Sequence, residues 1–198
     1  MIGSDSMRLR WIGPWAAWLA AMLMLMLPRP AHAQTANRDG LEIFGGYSYL
    51  YDPGNALLAE TANDDVYPLG WFAGAAHRIW RRIDLVGEAG GQYKSGVTFD
   101  EGAAFSLHSF LGGARSGFRW GPAVLFAQVL TGATYGRATA FGTTVSVTRF
   151  TAQGGVGVDY PITARFGPRV QVDYRLLPPS GGSELTSQFR IAAGIFFR

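Results

Sequence analysis

His108 and Ser109 place a base beside a nucleophile, and with Glu88 as an orienting acid they would suit acyl transfer or lipid hydrolysis. Adjacent residues on a strand point to opposite faces, which leaves His108 out of hydrogen-bonding reach of Ser109 and makes it a rim histidine beside a loop. His77 stands next to Arg78 with no second His or carboxylate at ligand spacing, so no metal is expected there. The pairs Gly45-Gly46, Gly90-Gly91, Gly112-Gly113 and Gly154-Gly155 lack the Lys-Ser/Thr sequel of a phosphate-cradling loop, and crowding inside a narrow fold accounts for them better. Asp64-Asp65 and Asp100-Glu101 are acidic pairs that divalent cations could visit; solvated loop charge explains them more simply. No catalytic residue, cofactor or metal is assigned.

A different set of charges has a regular setting. Asp84, Glu88, Asp159 and Asp173 carry negative charge, and Arg115, Arg119, Arg169, Arg175 and Arg190 positive, each between neighbours that alternate apolar with small or polar. Charges taken out of water must be paired, so a nearly balanced set of this kind reads as an interior ion-pair network. The elements that would hold it are strands of period two.

Eight such segments follow one another. They are Glu42 to Tyr51, Tyr67 to Ile79, Ile83 to Tyr93, Leu107 to Trp120, Val124 to Tyr135, Phe150 to Tyr160, Arg169 to Leu176 and Gln188 to Arg198. The seventh is nearly ideal, with Val170, Val172, Tyr174 and Leu176 against Arg169, Gln171, Asp173 and Arg175. Strands of about 9–11 residues suffice to cross a bilayer when one face meets lipid and the other the barrel interior. Their connections alternate short and long: 80–82, 121–123 and 161–168 are short, whereas 52–66, 94–105, 136–148 and 177–187 are longer. Outer-membrane barrels have short periplasmic turns and longer extracellular loops, so both termini belong on the periplasmic side. Trp80, Trp120, Tyr160 and Phe197 then fall near one rim, and Tyr49, Tyr51, Tyr93 and Tyr135 near the other. Two aromatic girdles result.

Composition agrees. The 198 residues include 27 Gly, 13 Phe, 8 Tyr and 6 Trp with only 16% charged residues, a balance that favours strand over helix. The absence of Cys removes disulfides, thiolate metal sites and Cys nucleophiles. The formal charge of +3 is no argument for nucleic acid, because Arg8, Arg10 and Arg29 against Asp5 supply most of it and no basic patch remains.

Residues 1–33 read as a cleaved signal peptide. Arg8 and Arg10 precede the apolar run Trp15 to Leu27, and Ala31-His32-Ala33 forms a small-x-small cleavage site. A retained membrane helix would need about 20 apolar residues, and this run is shorter and followed by Pro28 and Pro30. The domain expectation is therefore a signal peptide over 1–33 and one barrel domain over 34–198.

Leu41-Glu42-Ile43-Phe44-Gly45-Gly46-Tyr47-Ser48-Tyr49-Leu50 resembles the opening strand of the small outer-membrane β-barrel proteins of the OmpA/OmpX-like transmembrane class. Phe189 to Arg198 resembles the aromatic C-terminal strand of that class, with the departure that Arg198 follows the aromatic Phe197. The resemblance implies an all-β, eight-stranded antiparallel up-and-down transmembrane β-barrel in the outer membrane of a Gram-negative-type bacterium. It further implies outer-membrane lipid and lipopolysaccharide as surroundings and recognition by the barrel assembly machinery through the C-terminal strand, with no peptidoglycan-binding domain.

The functional expectation is a non-enzymatic barrel serving envelope structure and surface interaction through four long extracellular loops. Its competitors are a narrow channel for small solutes, a soluble lipocalin-like binder with the polarity reversed, and a lipid-modifying barrel enzyme. N-terminal sequencing of the exported protein should begin at Gln34, and Ala33→Arg should leave the precursor uncut.

Overall fold

The computed structural model describes residues 40–53, 66–97, 100–140, 142–179 and 185–198. The signal-peptide expectation, including Ala31 and Ala33, and Asp64-Asp65 lie outside the described residues. Nine strands form one sheet: β1 (Leu41–Tyr51), β2 (Val66–Tyr67), β3 (Leu69–Trp80), β4 (Ile83–Val97), β5 (Asp100–Trp120), β6 (Ala123–Ala140), β7 (Thr143–Asp159), β8 (Phe166–Leu177) and β9 (Thr186–Phe197). Each long strand pairs antiparallel with the next, and β1 pairs with β9 from Ile43↔Phe197 to Tyr51↔Phe189, closing an eight-stranded barrel. The two-residue β2 continues the line of β3 across Pro68, where the pairing with β1 slips by one residue. Proline lacks the N–H that a ladder needs, which confines it to such breaks.

The expected facing of the strands is the one observed. Along β8, Arg169, Gln171, Asp173 and Arg175 are buried while Val170, Val172 and Tyr174 are exposed. The outer wall is apolar, from Leu41, Ile43 and Tyr47 on β1 to Ile191, Ile195 and Phe197 on β9. Trp80, Trp120 and Phe197 lie exposed at the rim of the short turns, and Tyr49, Tyr51 and Tyr135 at the other. Twelve residues separate His108 from Trp120 on β5. At about 3.3 Å per residue and a tilt of about 40° they rise about 30 Å, close to the thickness of a bilayer core.

Two of the four expected long loops are strand instead. The stretch 94–105 is paired through Lys94↔Phe105 and Ser95↔Ala104, and 136–148 through Gly136↔Val147 down to Ala140↔Thr143. Strands β5 and β6 run 21 and 18 residues, well beyond a bilayer's need. Strands β4 to β7 therefore leave the membrane as a paired ribbon about 15–20 Å tall, at about 3.3 Å per tilted residue.

Closure is tight at one place. Gly46 and Gly194 face each other across the β1–β9 seam, and a Cβ on either would overlap backbone of the opposite strand, at Ala193 for Gly46 and at Gly45 for Gly194. Crowding thus explains Gly46, and likewise Gly113 and Gly155. It does not explain the outward members Gly112 and Gly154, which face open space or nearly so. Gly194→Ala should lower the unfolding free energy in detergent by about 1–3 kcal/mol, the usual cost of overpacking, whereas Gly154→Ala should leave it unchanged. Urea titrations followed by tryptophan fluorescence compare the two.

Candidate functional site: a paired polar interior

The inward faces of eight strands converge on a space that side chains of this size fill. Nearest the short turns, Glu42 of β1 accepts from three guanidinium groups. Arg115 Nη1 lies 2.7 Å and Arg169 Nη2 2.6 Å from its Oε1, and Arg198 Nε 2.5 Å from its Oε2. Arg169 and Arg198 also reach Asp159, at 2.7 Å and 2.9 Å. Arg115 reaches Asp84 at 3.0 Å, and Arg78 contacts that carboxylate from the other side. The layer joins β1, β3, β4, β5, β7 and β8 to the end of β9.

Above it, Phe44, Phe72 and Phe196 pack with Ala76, Val86, Leu111, Leu130 and Ala192. The guanidinium of Arg169 lies 4.4 Å from the ring centre of Phe44 and 4.8 Å from that of Phe126, while Arg190 lies 5.6 Å from that of Phe72. Aromatic faces attract cations, the more so where water is excluded, and here they occupy the sides of guanidinium groups that no carboxylate reaches.

The second ionic layer is centred on Arg190. Its Nη2 lies 2.6 Å from Glu88 and 2.8 Å from Asp173. Arg175 donates to Gln153 at 2.7 Å and to Ser109 at 3.3 Å. Gln153 and Gln171 donate to Glu88 at 3.3 Å and 3.2 Å, so every charge in the layer has polar company. Towards the long connections, Gln92 donates to Ser48 at 2.6 Å, Thr151 to Thr134 at 2.7 Å, and Gln188 to Asp52 at 2.9 Å. Tyr67 closes that end with Leu50, Leu107 and Phe105, and burial together with the Asp52 carboxylate pushes its hydroxyl pKa up.

Of the nine charged residues expected inside, eight are buried and meet in these two layers: Asp84, Arg115, Asp159 and Arg169 in the first, Glu88, Asp173, Arg175 and Arg190 in the second. Arg119 does not join them. It has the inward parity but stands at the last turn of β5, exposed, opposite Val124, because the strand has already left the barrel there. Sequence reasoning omitted Glu42, Arg78 and Arg198 from the network. The first two were legible from parity, since both sit on the inward face. Arg198 was read as a departure from an aromatic ending, yet it continues the alternation one step beyond Phe197 and turns into the barrel.

His108 and Ser109 diverge as strand geometry requires. His108 lies on the outer wall, edge-on to Tyr93 at 5.6 Å, while Ser109 is buried against Arg175. His77 is exposed on the outer wall. Among the described residues no three His, Asp or Glu converge on a point where a metal could sit.

This architecture is that of the closed eight-stranded outer-membrane barrels, and the apolar belt between two girdles fits that location. Three solved structures of that class are similar to this chain in fold. Neisserial surface protein A (NspA) is 11% identical with a TM-score of 0.59, over 79% of this chain and 94% of that one. Ail, the attachment invasion locus protein of Yersinia pestis, is 16% identical with a TM-score of 0.51, over 80% and 99%. The outer membrane protein OprG of Pseudomonas aeruginosa is 11% identical with a TM-score of 0.51, over 81% and 96%. No protein-family model matches the sequence, and no curated protein matches it.

Glu42→Leu should lower the unfolding free energy by about 3–5 kcal/mol, because it strands guanidinium groups in a buried layer. Arg119→Ala should shift it by less than about 0.5 kcal/mol, as for other exposed positions. Denaturant titration of both variants in the same micelles makes the comparison.

Proposed function

We propose that this chain is a non-enzymatic outer-membrane barrel whose interior is a structural plug and whose ribbon of β4 to β7 is a surface for contacts outside the cell. The observation that carries the reading is the contrast between the two ends. Above a cavity of about 280 Å³ at the short-turn mouth, the interior is occupied by two ion-paired layers with phenylalanines between them and by polar side chains up to Gln188, whereas the ribbon is a projection that the barrel itself does not need.

The ribbon has a feature suited to contact. Pairing between β7 and β8 begins only at Ala152↔Leu176, and Arg149 bonds the carbonyls of Leu177 and Pro178 just above it, so from Thr143 to Thr148 the backbone edge of β7 faces no strand among the described residues. That edge is rich in β-branched residues, Thr143-Thr144-Val145-Ser146-Val147-Thr148, and Val145 is 57% exposed. An unpaired edge of this composition offers main-chain donors and acceptors to an extended segment of a partner. The expected role of four long loops thus falls in good part to a rigid sheet.

The plug disfavours the channel reading. Arg175 and Arg190, the inward arginines of β8 and β9 that a channel would expose to solute, are fully buried and engaged with Gln153, Glu88 and Asp173. The lipocalin-like reading fails on polarity, since the apolar faces point outward. Purified barrel in planar bilayers should show no stable conductance, and Arg175→Ala should not create one. A conducting wild type would overturn the plug. Val145→Pro, which breaks the free edge of β7 while leaving the barrel below intact, should abolish whatever cell-surface or matrix adhesion the wild type confers on a non-adherent host.

A further inference from the structure

The ionic layer nearest the short turns does not close the mouth beside it. A cavity of about 280 Å³ opens there, with Arg78, Arg165 and Arg198 on one side and Gly117, Val124 and Phe126 on the other. The cationic side comes from β3, the turn between β7 and β8 and the end of β9, and the apolar side from β5 and β6 across the mouth. Gly117 has the inward parity of Arg115 but no side chain. A Cβ there would lie 3.5 Å from side-chain atoms of both Val124 and Phe126, so its absence leaves that apolar wall bare.

Hydrogen bonding around the cavity is unbalanced. Both oxygens of Glu42, of Asp84 and of Asp159 already accept from a guanidinium. The donors are not used up. Arg165 is exposed, and its guanidinium has no partner among the described residues. Arg198 bonds through Nε and Nη2, and Arg78 through Nε and Nη1, which leaves one terminal nitrogen of each without an acceptor among the described residues. A ligand must therefore bring acceptors. The planar fork of a guanidinium matches the edge of a carboxylate, whereas an ammonium would find every carboxylate oxygen here already engaged.

We propose that this mouth binds a small organic carboxylate, its charged end on Arg165 and Arg198 and its short apolar body against Val124 and Phe126. The volume sets the size, since it falls just below the range of about 300–1,000 Å³ that takes drug-sized molecules and suits a body of a few carbons. The apolar wall selects an organic acid over inorganic phosphate, because each methylene withdrawn from water gains about fourfold in affinity. The ion-paired layers above stop the ligand at the mouth, so the site holds the acid without conducting it. A free acid and the carboxyl end of a peptide present the same group.

The test is an NMR titration of the isotope-labelled barrel, folded in zwitterionic detergent, with butyrate, acetate, N-acetylalanylalanine, butylamine and inorganic phosphate. Butyrate should shift the amides of Gly117, Val124 and Arg165 saturably, and acetate, which lacks two of its methylenes, should bind about tenfold more weakly. Arg165→Gln should weaken butyrate about tenfold, the loss of one charge-assisted hydrogen bond. Arg82→Gln, exposed on the same rim but outside the cavity, should leave it unchanged. The peptide names the source, a chain end if it binds as butyrate does and a free acid if it does not. A heat-dependent gel shift confirms that each variant folds. Undiminished affinity in Arg165→Gln, equal binding of butylamine, displacement by equimolar phosphate, or the absence of saturable shifts would each overturn the proposal.

Discussion

The closure of β1 on β9 is the constraint on which everything else depends. In hydrocarbon an unpaired backbone N–H or C=O costs several kcal/mol, so eight strands that failed to meet would expose two full edges to lipid. The nine paired positions from Ile43 to Tyr51 remove those edges, and they do so only because Gly46 and Gly194 let the two backbones approach. Closing so few strands leaves a narrow lumen. A narrow lumen must be filled, and because hydrophobic residues are needed on the outside, the filling falls to the polar half of each alternating strand.

That filling explains why the charges are arginines and why they sit where they do. A buried ion pair is weak evidence for stability, because desolvation offsets much of the attraction. Its geometry nevertheless ties together strands remote in sequence. Glu42 on β1 meets Arg115 on β5, Arg169 on β8 and Arg198 beyond β9, so one carboxylate connects residues separated by as many as 156 positions. Arginine suits this use because its flat guanidinium takes two carboxylates at its edge and aromatic rings on its faces. Arg169 does both, with Glu42 and Asp159 at its edge and Phe44 and Phe126 beside it. The inward phenylalanines are therefore part of the ionic layers' solvation.

The alternation that made the barrel legible in the sequence has a physical source, and the source sets where the reading stops. Period two appears because one face of a strand meets lipid and the other the lumen. Between the girdles this contrast is strong, and the faces of β1, β4, β8 and β9 could be read residue by residue. Above the girdle both faces meet water. Thr143 to Ser146 are all exposed, and nothing in such a stretch distinguishes a strand from a loop. The ribbon was therefore invisible as structure. The same limit accounts for Arg119, since parity tells which face a residue is on but not how far along the barrel it lies, and for Arg198, whose parity was right but whose position was taken for an ending. Partners in the network were harder still, because register across eight strands decides which Arg meets which carboxylate.

The two rims then follow opposite rules. At the short-turn rim the strands end close to the girdle, and Arg198 pairs with Glu42 and Asp159 beside a cavity of about 280 Å³ that opens at this mouth. At the other rim β1, β8 and β9 stop while β4 to β7 continue, so among the described residues the sheet that leaves the membrane has edges with no strand beside them. Such an edge is normally blunted, by charge, proline or a bulge, to prevent uncontrolled pairing. Pro68 breaks the line from β2 to β3 at this rim, beside β1 and not on an edge of the ribbon. On β7 the exposed run from Thr143 to Thr148 has none of these devices. The pairing of β3 with β4 also ends, at Leu69↔Tyr93, so among the described residues both outer strands of the ribbon rise above their barrel neighbours, and what sets β7 apart is its run of β-branched residues, which the proposed contact would use.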